Sequence, residues 1–414
     1  MHETPILLTA QIPGTGGAIK ARDDDFVVEE LPLYEASGAG SHTYVFIEKQ
    51  GLGTREALDR IARALDVNGR NIGSAGLKDA HAVTRQWISI EHVGPERVRK
   101  VTVPDVRILE VTRHTNKLKP GHLAGNRFVV RIRKLAVPAE QARENAERVL
   151  SILTQKGLPN YFGPQRFGNR DNNHLLGRAM IGNHAPTFVD LFLGHPLEGI
   201  DSPATLHART LYSEGHYEEA LNVWPAQMRE HTRALRALVK SQGDKTRAFY
   251  AVDKHLKGFF VSAYQSDLFN RVLAARMPDI DKVLLGDMAY KHVNGACFRV
   301  EQPDVEQPRC APFEISPTGP LLGQRTTRLT GPAGQIENPI LEAEGLGESE
   351  FKQMKRLGAR GGRRPLRVQP RHTSATIGTD DHGPFLELHF ELPPGAYATT
   401  LISEITKSPP ATPQ

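Results

Sequence analysis

The stretch "NIGSAGLKDAHAVTRQW", residues 71–87, decides how this chain is read. Gly73 and Gly76 allow a positive φ or a close approach of the backbone that a Cβ would forbid. After them comes "RQWISIE", in which Trp87, Ser89 and Glu91 alternate with Gln86, Ile88 and Ile90, the pattern of a strand with two unlike faces. Asp79 is therefore expected on a tight connection at the lip of a sheet, where functional groups are often displayed. An aspartate there either bonds its own backbone as a turn residue or presents its carboxylate for chemistry.

Working outward, residues 17–135 are strand-rich. "DFVVEEL" (25–31), "TYVFIEK" (43–49), "VRILEVT" (106–112) and "NRFVVRIRKL" (126–135) favour β-branched and aromatic residues. A helix is predicted over "TREALDRIARALDV" (54–67), with Thr54 as its cap and Ala57, Leu58, Ile61, Ala62 and Leu65 as one apolar stripe. Another is predicted from Pro138, which suits a helix start, to Gly157, which suits a stop. The class is α+β, with helices on a largely antiparallel sheet. Beyond about residue 185 the texture changes. Residues 245–276 read as helical, residues 302–340 with seven prolines read as loop or irregular, and "FLELHFEL" (385–392) alternates as a strand again. The middle thus reads as an insertion after which the chain rejoins the first sheet. "SPPATPQ" (408–414) is expected to be disordered.

At 414 residues with 39% hydrophobic and 24% charged side chains, composition fits a globular protein of two domains. No window holds the roughly 18 apolar residues of a spanning helix, and the N-terminus lacks a secretion signal, so the cytoplasm is the expected location. Two cysteines give no disulfide framework and no CxxC pair, and the 17 histidines form no ligand motif. Asp23, Asp24 and Asp25 are poor joint metal ligands, since consecutive strand residues point different ways. The net charge of +5 is uneven. Eleven basic residues lie between Arg97 and Lys134 against two acids, and eight lie between Lys352 and Arg371 against none. Such clusters are either solvated faces or surfaces that meet phosphates, and two of them favour nucleic acid.

"NYFGPQRFGNRDNNH" (160–174) has no amphipathic period. Asn160, Gln165 and Arg166 bring hydrogen-bonding groups, and Tyr161, Phe162 and Phe167 bring flat faces. These either grip an unstacked base or plug the core beneath a loop.

With these residues in view, the chain resembles the TruD family of tRNA pseudouridine synthases over nearly its whole length. The resemblance is carried by "GGAIKARDDDFVVEE" (16–30), "AGLKDAHAVTRQW" (75–87), "NYFGPQRFG" (160–168), "SAYQSDLFN" (262–270) and "LPPGAYATT" (392–400). It implies a pseudouridine-synthase-like catalytic domain in two parts, 1–185 and 365–407, around an inserted lobe, 186–364, with RNA in the cleft between them. It also implies a monomer, isomerisation of uridine in tRNA at position 13, and neither cofactor nor metal. Asp79 takes the place of the family's essential carboxylate, acting on the sugar as a nucleophile or assisting a glycal intermediate. Lys20 matches its active-site basic residue and would offset burial of Asp79 by opposite charge. Phe26, Asn160 and Tyr397 match residues that contact the uridine, with Tyr397 standing where some members have Phe, and Phe162 would pack against the flipped nucleotide. Gln165 and Arg166 are expected to hold their loop together, and Gln265, Ser266 and Asn270 to make structural bonds. The competing reading is an RNA-binding protein of the same fold without catalysis, which would have no use for a carboxylate near phosphates.

Overall fold

The computed structural model describes residues 5–408, so the expected disorder of 409–414 lies outside the described residues. The chain divides into two compact units, one of residues 7–159 and 368–408, the other of residues 160–367 with residues 5–6. The reading from sequence put these edges near 185 and 364. The first falls earlier because the helices Asn173–Ile181 and Ala185–Leu193 share one apolar core with the helix Lys254–Ala275.

The first unit is built on an eight-stranded sheet. Its strands are β1 (Phe26–Pro32), β2 (His42–Gln50), β3 (Ile72–Ser74), β4 (Val83–Glu91), β5 (Val106–His114), β6 (Leu123–Arg133), β7 (Arg371–Asp380) and β8 (Gly383–Leu392). They lie in the order β7-β8-β6-β1-β4-β2-β5, with β3 also paired to β4. Every pair is antiparallel except β1 with β4. β8 runs beside β6 from Phe385–Arg133 to Leu392–Asn126, so the chain does rejoin the first sheet. β7, too rich in Thr, Ser and charge to be read as a strand, pairs only with β8 at the sheet's edge.

Alternation decides which face each strand buries. Val45 and Ile47 of β2 with Ile88 and Ile90 of β4 pack against Ile61, Ala62 and Leu65 at the helix Thr54–Ala64. Thr54 does not cap that helix: Gly53 holds the cap position, and the Thr54 hydroxyl turns to Gln86 and Lys78 instead. A second helix, Ala139–Lys156, buries Ala142, Ala146, Val149, Leu150 and Leu153 and ends at Gly157 with φ of 99°. Gly73 is needed for close approach within the fold, since a Cβ there would stand 2.3 Å from the Leu118 carbonyl oxygen.

The opposite face carries an ion-pair ladder across six strands: Arg107–Glu48, Glu48–Arg85, Arg85–Glu29, Glu29–Arg127 and Arg127–Glu391, at 2.8 to 3.3 Å. Arg131 pairs with Glu387, Arg99 with Glu96 and Lys117 with Glu91. Much of the first basic cluster is thereby neutralised, and all of these acids but Glu96 arrive from other strands of the sheet.

The second unit joins a helical half to a four-stranded sheet. Phe188, Leu235, Leu238, Phe249, Val261 and Leu268 are fully or almost fully buried in its core. Gly177 lets the helix Asn173–Ile181 meet the helix Lys254–Ala275, since a Cβ there would stand 2.1 Å from the Phe260 carbonyl oxygen. The sheet orders its strands as Gly362–Pro365, Ile315–Leu321, Met288–Lys291 and Cys297–Arg299. The segment expected to be irregular thus holds a strand, Ile315–Leu321, and a helix, Gly331–Glu342. Its prolines fit because a strand needs no N–H from them: Pro317, in register with Ala289, accepts at its carbonyl from the Leu366 amide at 2.9 Å, and Pro320 is in register with Arg363. The second basic cluster also turns partly inward. Arg363 grips the buried Glu337 at 2.7 and 2.8 Å, Arg364 bonds Asn160, and the fully buried Arg367 bonds Ser316 and the Cys310 carbonyl.

Candidate active site

Asp79 lies in the connection between β3 and β4, outside regular structure, with its side chain 46% exposed. Its backbone is gripped from three sides. The Lys49 ammonium donates to the Asp79 carbonyl at 2.9 Å and to the Leu52 carbonyl at 2.5 Å. The Thr54 hydroxyl accepts from the Lys78 amide at 2.8 Å and donates to Gln86 at 2.9 Å, and the Gln86 amide reaches the Gly76 carbonyl at 3.4 Å. Lys78 itself is buried, donating to Asn126 at 2.5 Å and pairing with Glu30 at 3.0 Å. A short irregular loop is thereby held as firmly as a strand while one carboxylate stays in water. Leu77, two residues before it, is 65% exposed.

The carboxylate has one charged partner. Lys20 Nζ stands 3.0 Å from Asp79 Oδ2 and 4.7 Å from the centroid of the Phe26 ring. Lys20 has φ of 56°, a left-handed conformation that a side chain-bearing residue adopts only where its surroundings hold it. The hold comes from Ala18, two residues earlier, which exchanges both backbone hydrogen bonds with Arg133. Phe26 is 3% exposed and packs edge-on to Phe128, so it presents its ring to the Lys20 ammonium. Asp25 is taken by Arg133 and Asp24 by Arg22. Among the described residues, no three His, Cys, Asp or Glu side chains group as metal ligands would.

Tyr397 is half-buried in the same unit, at the cap position of the helix Ala398–Thr406. The turn before it leaves β8 at Leu392, whose register partner is Asn126, the residue Lys78 holds. Asn160 and Phe162 belong to the other unit. Asn160 is buried, donating to the Pro365 carbonyl at 2.9 Å and accepting from Arg364 at 2.5 Å. Phe162 is buried too, and its backbone amide and carbonyl are both bonded by the Asn270 side chain at 2.9 and 3.0 Å. Asn270 is structural as expected, and so are Gln265, donating to the Leu322 carbonyl, and Ser266, donating to the Ser262 carbonyl.

Lys49 and Glu30 were missed by the sequence reading, although a signal for each existed. Lys49 falls in phase with Val45 and Ile47, and Glu30 with Phe26 and Val28, on faces that otherwise bury apolar side chains. A charged residue in such phase must grip something. Burial pulls the Lys49 amine down from 10.5 to about 8, against the charge of Asp79 and with the charge of Lys78, and burial pushes the Glu30 carboxyl up against the pull of Lys78. Below pH 8 Lys49 is charged both folded and unfolded, and its burial opposes folding. Between about 8 and 10.5 the unfolded chain binds the extra proton, so stability from this group rises with pH. The unfolding free energy of the wild type relative to Lys49→Met is therefore expected to climb across that window, at a slope approaching about one proton. A difference flat in pH would show that burial does not lower the Lys49 amine.

Among the described residues no helix is long and apolar enough to cross a membrane. The family model of tRNA pseudouridine synthase D matches residues 6–405. A protein of Geobacter metallireducens named tRNA pseudouridine synthase D is 44% identical over 400 residues, 97% of each chain. Its namesake in Anaeromyxobacter dehalogenans strain 2CP-C is 36% identical over 412 residues, 99% of this chain and 98% of that protein. The crystal structure of a Methanosarcina mazei protein described as a putative tRNA pseudouridine synthase D superposes with a TM-score of 0.83 at 26% identity, covering 97% of this chain and 96% of that one. A mixed sheet flanked by helices and matches that run nearly end to end agree: the chain belongs to the TruD family of tRNA pseudouridine synthases.

Proposed function

We propose that this protein converts uridine 13 of tRNA to pseudouridine, with Asp79 as the essential carboxylate. The observation that carries the reading is a single exposed carboxylate on a loop whose backbone is fixed by Lys49, Thr54 and Gln86, paired with one lysine. The reaction is an isomerisation. The N1–C1′ bond breaks, the uracil turns over, C5 bonds C1′, and the proton lost from C5 is balanced by one gained at N1. It needs no oxidant, donor group or water, which leaves a positioned carboxylate and a site that holds the free base as its main requirements. Asp79 supplies the first, either by bonding C1′ or by assisting departure of the base.

Lys20 orients the carboxylate by a charge-assisted hydrogen bond. Phe26 acts from beneath through the ring contact to Lys20, and the half-exposed Tyr397 offers a face to the base. For Asn160 to touch the nucleotide its side-chain bonds to Pro365 and Arg364 must be shared or give way, whereas the Asn270 bonds hold only the Phe162 backbone. The test is incubation of the purified protein with unmodified tRNA transcripts, followed by pseudouridine mapping. Product at position 13 is expected. Product only at other positions would refute the assigned target, and binding without any product would favour an RNA-binding protein of the same fold.

A further inference from the structure

Arg166 ends the short turn Pro164–Arg166 that follows Phe162. The turn is fixed by the Arg166 amide on the Gly163 carbonyl at 3.0 Å, by the Phe167 amide on the Pro164 carbonyl at 2.8 Å, and by the Asn173 side chain on the Arg166 carbonyl at 3.3 Å. The sequence reading had Arg166 tying this loop together. Its side chain meets one ring of that loop and one outside it: the guanidinium carbon stands 5.4 Å from the centroid of Phe162 and 5.6 Å from that of Phe259. No carboxylate, amide or carbonyl accepts from it among the described residues. Three other arginines of this unit are engaged. Arg364 also lies over Phe162, at 4.2 Å, yet bonds Asn160; Arg170 bonds Asp201; Arg271 bonds Glu344.

A guanidinium held against ring faces gives none of its five N–H donors to a protein acceptor, and a phosphate can be met by two of them at once in their common plane. Phe259 is 38% exposed, so this edge lies by solvent and not in the core. The two ring contacts also restrict the side chain before any ligand arrives, which lowers the ordering cost of binding.

We infer that Arg166 is a phosphate clamp for the backbone of the substrate RNA, an inference that rests on the proposed action on tRNA. It binds and positions the substrate and takes no part in the chemistry. The test measures affinity for unmodified tRNA over a range of salt concentrations, in an Asp79→Ala background so that no product forms, for Arg166→Gln and Arg166→Lys. Losing one phosphate contact lowers the slope of log affinity against log salt by roughly 0.7 to 0.9, so Arg166→Gln is expected to show that drop. Arg166→Lys, with the same charge, is expected to keep the parent slope at weaker affinity. An unchanged slope in Arg166→Gln overturns the clamp, even if affinity falls, because a stacking or structural role would lower affinity without releasing fewer ions. Product mapping with the wild-type protein is scored separately, so an unchanged slope beside normal pseudouridine formation removes the clamp and leaves the proposed function standing.

Discussion

Replacing Asp79 by alanine is expected to cut the single-turnover rate of pseudouridine formation by about four orders of magnitude or more, the scale of losing a group that acts covalently or as a base. Affinity for tRNA should change by less than about threefold, since removing a negative charge near phosphates removes repulsion and no contact. The fold should survive, for a structural reason. Lys49, Thr54 and Gln86 hold the loop through the Asp79 carbonyl, the Lys78 amide and the Gly76 carbonyl, and alanine keeps all three. What alanine loses is one contact, the 3.0 Å bond from Lys20. Asp79→Asn, equal in size but uncharged, should fail to the same degree. Single-turnover rates and binding isotherms on one transcript separate these outcomes, and an alanine variant within tenfold of the wild-type rate would end the proposal for this residue.

The Asp79 loop was legible in the sequence because its meaning is local. A glycine pair, a carboxylate and a stretch whose residues from Gln86 to Glu91 fall on two unlike faces stand within twenty residues, and β4 runs from Val83 to Glu91 as that pattern requires. The strands β1, β2, β5 and β6 were legible for the same reason. What the sequence hid was long-range pairing. The basic cluster from 97 to 134 looked unopposed because its acids, Glu29, Glu48, Glu387 and Glu391, are far away in sequence and adjacent across the sheet. The bond from Arg364 to the Asn160 side-chain carbonyl was hidden too, because the two residues stand over two hundred positions apart. Pro317 and Pro320 disguised a strand, because periodicity cannot show that the missing amides are not needed by the neighbouring strands.

Arg133→Met is the second change with a large expected effect, and it acts on stability. Arg133 closes β6 and donates to the fully buried Asp25, just before β1, at 2.7 to 2.9 Å. Its remaining donors go to Asp380 at the end of β7, at 2.7 and 2.9 Å. One guanidinium thus ties together three strands that are not consecutive, beside the segment that sets Lys20. Methionine keeps the apolar stem and leaves the Asp25 carboxylate buried without its counter-charge, a situation that costs about 3–5 kcal/mol. Restoring neutrality in Arg133→Met/Asp25→Asn should recover much of the loss, since the penalty comes from the stranded charge more than from the missing bond. The acid limb of stability should change as well. Hydrogen bonds from Arg133 hold the Asp380 carboxyl below its ordinary 3.8, so in the wild type this contribution is complete above that pH and is lost as pH falls through the depressed value. Arg133→Met should flatten that limb. Urea unfolding at neutral and acid pH measures both effects; a single variant that loses less than about 1 kcal/mol would mean that water, and not Arg133, compensates Asp25.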